Sequence, residues 1–129
     1  MAFWHGDRGR KITGGKIKIS RKKRLRELGN LPTYTKVGKD KMIKVKTKGG
    51  GEKLRLLTAE FANVFDKSSN SAKKVKILDV LEHKDNPQLT RSKIITKGTI
   101  IKTEIGNAIV TSRPSQHGIV NAVLLEEKK

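Results

Sequence analysis

The stretch "RGRKITGGKIKISRKKRLREL", residues 8–28, most strongly limits what this chain can fold into. It contains ten Lys or Arg residues and one acid, Glu27. Like charges placed so close together repel one another, and that repulsion opposes any compact state. The isoleucines of the stretch stand singly among lysines and offer little apolar surface to offset it. We therefore expect a partner outside the chain to compensate the positive charge.

The charge is unevenly distributed along the chain. The formal net charge is +18 over 129 residues. Residues 1–53 carry 17 basic and 4 acidic side chains, net +13, while residues 54–129 carry 13 and 8, net +5. Most Ile, Val and Leu residues follow residue 42. The sequence therefore predicts two parts, a basic arm with a connector over residues 1–40 and a core domain over residues 41–129.

The composition excludes several classes of protein. The chain has no cysteine, which rules out disulfides, cysteine-ligated zinc and thiol catalysis. The first residues carry an early acid and no apolar run, which is not typical of a secretory signal. No stretch reaches the roughly 20 apolar residues of a membrane span. A net charge of this size favours an anionic partner such as nucleic acid.

Within the arm, one short helix is predicted. Ser20 is a suitable N-cap for a helix over residues 21–28, and Gly29 is a suitable stop. Leu25 and Leu28 would form one narrow apolar edge, and basic residues would cover the rest. Thr13-Gly14-Gly15 is expected to be a flexible break.

The core is predicted to consist of strands. In residues 42–48, "MIKVKTK", apolar residues alternate with lysines, a period of two that is typical of a strand with one buried face. A glycine turn over residues 49–51 joins it to residues 53–57. The two segments are predicted to form a hairpin with four basic residues on its outer face: Lys44, Lys46, Lys48 and Arg55.

The remaining strands follow the same reasoning. Residues 73–83, "KKVKILDVLEH", indicate a long, more buried strand with Val75, Ile77 and Leu81 on one face. Asn86-Pro87 is predicted to be a turn, and Gly106-Asn107 a hairpin turn. The predicted fold class is all-β and mainly antiparallel, with a small β-barrel-like core and an extended basic N-terminal arm that contains one short helix.

The functional hypothesis is phosphate contact by lysines and arginines, because the charge continues from the arm onto a strand face. RNA is favoured over DNA, since no helix-turn-helix, zinc finger or basic zipper is visible. Two glycines are expected to permit a close turn beside phosphates. The predicted RNA-binding residues are Arg8, Arg10, Lys11, Gly14, Gly15, Lys16, Lys18, Arg21, Lys22, Lys23, Arg24, Arg26, Lys44, Lys46, Lys48, Arg55, Arg91, Lys93, Arg113 and His117.

Four alternatives stay open at this point. The basic stretch could be a solvated tail or a localisation signal. A DNA-compacting protein would also bind through phosphates. A small hydrolase would use Ser112 or Ser115 with His117 as base, although no orienting or oxyanion group stands at a recognisable spacing. A peripheral membrane protein would need a wide apolar helix face, which the sequence lacks. Trp4, Phe3 and Tyr34 could stack on bases or anchor the arm.

Several motifs, in order along the chain, resemble those of the archaeal and eukaryotic type of small-subunit ribosomal protein number eight. They are "RKITGGK" at residues 10–16, "SRKKRLRELGN" at 20–30, "TKVG" at 35–38, the Gly-Gly of "TKGGGEKLRLL" at 47–57, "NPQLTRSKIITKGTII" at 86–101 and "SRPSQHGIVNAVLLE" at 112–126. The long eukaryotic insertion between Glu104 and Ala108 is absent, so the chain resembles the compact archaeal version.

The resemblance implies a structural constituent of the small ribosomal subunit, with a role in translation and no enzymatic activity. Its implied partners are 16S ribosomal RNA and other small-subunit ribosomal proteins, without a membrane or a small-molecule substrate. The implied location is the ribosome in the cytoplasm. No cofactor is predicted, and Mg²⁺ is left open as an ion associated with the RNA.

Overall fold

The structure is a computed structural model that describes residues 3–7, 9–47, 49–84 and 86–125. The chain divides into two compact units, Met1–Pro32 and Thr33–Lys129. This division lies before the predicted boundary at residue 40, because residues 35–37 form a strand that hydrogen-bonds to two other strands of the second unit.

The first unit is built on one small antiparallel pair of strands. Strand β1 (Phe3–Trp4) pairs with β2 (Leu28–Gly29), and a 3₁₀ turn, Leu25–Glu27, leads directly into β2. Gly6 is required behind this pair, since a Cβ atom there would lie 2.1 Å from Cζ2 of Trp4.

The helix predicted over residues 21–28 is wrong. Three residues, Leu25–Glu27, are helical, and Arg24 rather than Ser20 precedes them. A longer helix would place basic side chains such as Lys22 and Arg26 four residues apart on one face, which is unfavourable. Leu28 and Gly29 are used instead by β2, so Gly29 does not end a helix.

The second unit consists mainly of strands. Its elements are β3 (Thr35–Val37), β4 (Lys41–Lys46), β5 (Glu52–Ala59), β6 (Phe61–Asp66), β7 (Ser71–Glu82), α1 (Pro87–Arg91), β8 (Ile94–Ile95), β9 (Ile100–Thr103), β10 (Asn107–Val110), α2 (Pro114–His117) and β11 (Asn121–Leu124). Five strands form a closed barrel in the order β10-β11-β6-β7-β9, and β9 pairs with β10 to close it. A four-stranded sheet has the order β4-β5-β3-β8.

The predicted fold class is confirmed, because the structure is mostly β with a closed barrel and two short helices. Most neighbouring strands are antiparallel, while β11–β6 and β3–β5 are parallel. Closure removes the exposed strand edges that a small open sheet would present. In the part of the chain that the structure describes, no helix is long and apolar enough to cross a membrane.

The barrel interior is filled with small and branched aliphatic side chains. Ile101 and Ala108 are fully buried, and Val64, Val75 and Val110 pack in the same cluster. These residues alternate with exposed or half-buried ones along their strands, as a barrel requires. The core cluster contains no aromatic residue among the described positions.

The predicted hairpin forms, but its predicted basic face is wrong. Strands β4 and β5 pair with Lys46 opposite Glu52, which leaves the five residues 47–51 as the loop. Because this number is odd, Lys44 lies opposite Leu54, while Arg55 lies opposite Ile43. Directly opposed residues share a face. The basic residues are therefore divided between the two faces of the hairpin.

The predicted face of β7 is also wrong in its second half. Two register shifts relative to β9 occur, one between Ile77 and Asp79 and one between Val80 and Glu82. Each shift inserts an extra residue, Leu78 or Leu81, and interrupts the period of two. The leucines are consequently about half exposed, while Val80 is buried.

The turn predicted at Asn86-Pro87 is the start of α1. The Asn86 side chain accepts a hydrogen bond from the Gln88 N–H at 2.9 Å, and Pro87 occupies the first helical position. This is the usual chemistry of a helix N-terminus. The hairpin predicted at Gly106-Asn107 is present, but its turn lies at residues 104–106, because Asn107 is the first residue of β10 and pairs with Lys102 of β9.

Truncation of Ile101 tests the position of the core. Since Ile101 is fully buried in β9, Ile101→Ala should lower the free energy of unfolding by about 2–5 kcal/mol. Urea denaturation would measure the change. The matched control is Ile105→Ala, because Ile105 follows the same strand and is 48% exposed. Equal losses from the two variants would contradict this core.

Candidate nucleic-acid interface

The first unit exposes nearly all of its positive charge. Every described Lys and Arg side chain between residues 9 and 26 is exposed. Among the described residues, the ion pair formed by this group is the one between Arg21 and Glu27. The exposed cations outside that pair are Arg10, Lys11, Lys16, Lys18, Lys22, Lys23, Arg24 and Arg26.

A tight loop over residues 9–17 presents the first of these cations. An isolated bridge joins Arg10 to Lys16, and the Lys11 N–H donates to the Gly15 carbonyl at 2.8 Å. Gly14 has φ +84°, a left-handed conformation that favours glycine. Its N–H donates to the Lys11 carbonyl, so Gly14 serves the turn and its N–H is already occupied. The loop therefore projects basic side chains from a compact backbone.

Glu27 organises the residues around the β1–β2 pair. Its carboxylate accepts hydrogen bonds from the Arg21 guanidinium, from Trp4 Nε1 at 3.2 Å and from the Arg24 N–H at 3.2 Å. These three donors lower the pKa of Glu27 to about 2, with Arg21 contributing most. Arg21 would have to exchange this carboxylate for a phosphate to bind RNA.

Trp4 is half-buried within the first unit. Its indole donates to Glu27, and the Lys23 ammonium lies 5.8 Å from its ring centroid. A shallow depression of about 260 Å³ is lined by Trp4, Ile17, Ile19 and Arg21, among others. This arrangement favours the anchoring role for Trp4 over the stacking role.

In the second unit, the hairpin carries its predicted residues on different faces. Lys44 and Lys46 share the face of Leu54, and a Cβ atom on Gly118, just after α2, would lie 3.8 Å from Cβ of Leu54. These two lysines are therefore on the side of the hairpin that faces α2. Arg55 lies on the other face, where it donates to Thr33 Oγ1 at 3.4 Å.

The segment around α2 places Arg113 and His117 together. The Arg113 N–H donates to Nδ1 of His117 at 3.2 Å, and both side chains are exposed. Since Nδ1 accepts a hydrogen bond, the proton of the neutral ring is on Nε2, where it can meet an anion. The Ser112 hydroxyl donates to the Ile119 carbonyl at 2.9 Å and accepts from the Asn121 N–H at 2.9 Å. Ser112 is thus a loop-closing residue and not a poised nucleophile.

The other predicted RNA-binding residues have different surroundings. Arg91 is exposed in the last turn of α1. Lys93 has φ +52°, and its ammonium lies 3.1 Å from the Asp79 carboxylate. The Val80 N–H and Lys93 together lower the pKa of Asp79. Arg8 and Lys48 lie outside the described residues.

The described residues hold no cluster suited to a metal ion. In the described ranges no three His, Asp or Glu side chains are grouped so that they could hold a metal ion. His83 is buried and its Nε2 contacts Thr96 Oγ1, which gives it a place in the core of the second unit.

A family model described as Ribosomal protein S8e matches residues 4–125. The chain therefore belongs to the S8e family of ribosomal proteins. Three curated relatives are named "Small ribosomal subunit protein eS8": those of Sulfolobus acidocaldarius at 54% identity, Saccharolobus solfataricus at 50% and Hyperthermus butylicus at 46%. The matches cover 98–99% of this chain and 96–100% of the relatives.

These comparisons confirm the family inferred from the sequence motifs. The S8e family is a class of structural, non-enzymatic components, which excludes the hydrolase alternative based on His117. The relatives are archaeal, in agreement with the compact version that the sequence resembles.

One surface of this S8e-family chain was missed in the sequence. Strand β6 is Phe61–Asp66, in which Ala62 and Val64 are buried and both phenylalanines point outward. Alternation is visible in "FANVF", but it does not decide the orientation, because Asn63 shares a face with the two phenylalanines while Ala62 and Val64 form the other. Its neighbour β7 places Lys74 and Lys76 beside this surface.

Protonation of Glu27 tests the cluster in the first unit. Because the folded pKa, about 2, is below the ordinary 4.5, the cluster is fully stabilised above pH 4.5 and loses that stabilisation as the pH falls through 2. Trp4 is the single tryptophan, so its fluorescence reports on the cluster directly. We expect a fluorescence transition centred near pH 2.

The control for this titration is Glu27→Gln, which has no proton to gain and should lack the transition. A wild-type midpoint near 4.5, the ordinary value for a glutamate, would show that Arg21, Trp4 and Arg24 do not hold the carboxylate.

Proposed function

We propose that this protein is a structural constituent of the small ribosomal subunit that binds and stabilises folded 16S rRNA through phosphate contacts. Membership of a ribosomal protein family supports the general role. The names of the curated relatives, which are small-subunit proteins, support the choice of subunit. The proposal gives the protein a role in translation, in the ribosome and therefore in the cytoplasm.

One observation carries the phosphate-contact mechanism. The described cations of residues 9–26 are all exposed, and Glu27 is the acid that pairs with one of them. Eight lysines and arginines outside that pair, from Arg10 to Arg26, are left to a polyanion. Such density suits places where rRNA helices crowd together and phosphates repel each other.

Binding by this mechanism releases counterions from the RNA. Each neutralised phosphate adds to the dependence of affinity on salt. With about 6–10 contacts, affinity should fall by on the order of a thousandfold or more between 50 and 200 mM salt. Lys44, Lys46, Arg91, Arg113 and His117 are the contacts proposed for the second unit.

The remaining partners follow from the same proposal. Other small-subunit ribosomal proteins would be neighbours, and no small molecule is needed for the role. Mg²⁺ would enter as an ion bound to the RNA and not as a resident cofactor of the chain.

A charge-removal experiment tests the mechanism. Lys22→Gln combined with Lys23→Gln should lower the slope of log affinity for 16S rRNA against log salt by roughly 1.4–1.8, because two phosphate contacts are lost. Filter binding at five salt concentrations would measure this slope. The matched control, Lys67→Gln with Lys97→Gln, removes the same charge from exposed positions of the second unit and should change the slope less.

Equal effects of the two double variants would contradict a specific role for the arm. Tighter binding of duplex DNA than of folded 16S rRNA at the same moderate salt would overturn the choice of RNA and favour a DNA-compacting protein instead.

A further inference from the structure

The aromatic residues of this chain are placed unusually. The chain has five, Phe3, Trp4, Tyr34, Phe61 and Phe65. The structure describes all five, and none of them is buried. Aromatic side chains bury 150–250 Å² each and commonly dominate a hydrophobic core. A barrel that fills its interior with Ile, Val and Ala while leaving phenylalanines outside has another use for the aromatic rings.

Two of these rings stand on one strand of the barrel. Phe61 and Phe65 are 38% and 36% exposed on the outer face of β6, with Asn63 between them. We call Phe61, Asn63 and Phe65 the β6 outer face. Four residues of strand separate the rings by roughly 13 Å, so they form two separate platforms.

The neighbouring strands supply polar and charged groups at this face. Lys76 and Lys74 of β7 lie opposite Phe61 and Asn63. On the other side β11 places Asn121 beside Asn63, and the Asn63 amide donates to Asn121 Oδ1 at 3.2 Å. Each amide keeps further donor and acceptor positions, and both side chains are exposed.

The charges at this face favour an anionic ligand. The Lys74 ammonium lies 4.8 Å from the centroid of the Phe61 ring. The Glu60 carboxylate is 3.2 Å from the Lys76 ammonium, so its charge is balanced locally. The Asp66 carboxylate is occupied by the turn that follows β6, where it accepts from the hydroxyls of Ser68 and Ser69.

We propose that the β6 outer face is a stacking site for an unpaired RNA nucleobase, with Phe61 as the main platform. A base would replace the Lys74 side chain on the Phe61 ring, and the displaced ammonium would meet the phosphate of the same nucleotide. Exposed aromatic rings beside lysines bind single-stranded segments in this way, because every base has a π-face. The amides of Asn63 and Asn121 would reach the edge of the stacked base.

This inference rests on the proposed RNA-binding function and extends it from phosphates to a base. An apolar protein segment could also cover two phenylalanines. RNA is favoured because the cation that covers Phe61 is available to a phosphate, and because the charge of the Glu60 carboxylate is balanced by Lys76.

Substitution of Phe61 tests the proposal. The probes are a 12-nucleotide single-stranded oligo(A) RNA and inorganic polyphosphate of similar charge, which has no bases. With Phe61→Ala, affinity for oligo(A) should fall roughly 5- to 150-fold, while affinity for polyphosphate should stay unchanged. Calorimetric titration at one fixed salt concentration measures both affinities.

Three further variants separate stacking from a general loss of stability. Phe61→Tyr should restore oligo(A) binding because the ring is kept, while Phe61→Leu should not. Leu78→Ala is the matched control, since Leu78 is a half-exposed apolar residue on the neighbouring strand. It should leave both affinities unchanged.

A second measurement, by NMR, reports directly on the Phe61 ring. The ring protons of Phe61 should shift upfield in NMR spectra on addition of oligo(A), and not on addition of polyphosphate. Two results would overturn the proposal: unchanged oligo(A) affinity in Phe61→Ala, or equal losses of affinity for oligo(A) and polyphosphate. Unchanged oligo(A) affinity would favour a protein neighbour as the partner of this face. Failure of the proposed function is distinguishable, because the wild-type chain would then not bind 16S rRNA.

Discussion

Electrostatic repulsion among the cations of the first unit is the constraint on which the rest depends. Between residues 9 and 26 the described basic side chains are all exposed, and Glu27 holds Arg21, Trp4 and Arg24 at one point. One carboxylate can organise a small pair of strands, but it cannot neutralise nine cations. This imbalance supports the proposal that a polyanion compensates the remaining positive charge. The barrel of the second unit is stabilised differently. Its interior is a cluster of buried aliphatic side chains, whose burial does not depend on a charged partner.

Much of the fold could be predicted from the sequence because strand periodicity is local. The alternation in residues 42–48 and the glycine turn predicted the β4–β5 hairpin. The wrong face assignments arose where one additional residue, in a loop or a bulge, reverses the face on which the following side chains lie. The odd loop placed Lys44 with Leu54 instead of Arg55, and two bulges turned Leu78 and Leu81 outward. Loop parity and bulges depend on pairing with distant strands, so local periodicity does not reveal them.

For the candidate interface, charge density predicts the exposed cations of residues 9–26, since it requires no knowledge of packing. It could not show that Arg21 is engaged by Glu27 or that Lys93 is engaged by Asp79, because those pairs form between separated positions. The phenylalanines of β6 were missed for another reason. Periodicity in β6 leaves the orientation undecided, because Asn63 lies on the same face as the two phenylalanines while Ala62 and Val64 form the other.

Hydrogen–deuterium exchange of the amides of residues 18–26 tests the central claim most directly. The free protein and its complex with 16S rRNA would be compared at the same pH and salt concentration. If RNA compensates the charge of this segment, its amides should exchange rapidly in the free protein and at least about tenfold more slowly in the complex. Strong protection in the free protein that RNA does not increase would contradict the claim, because the segment would then be stable with its charge uncompensated.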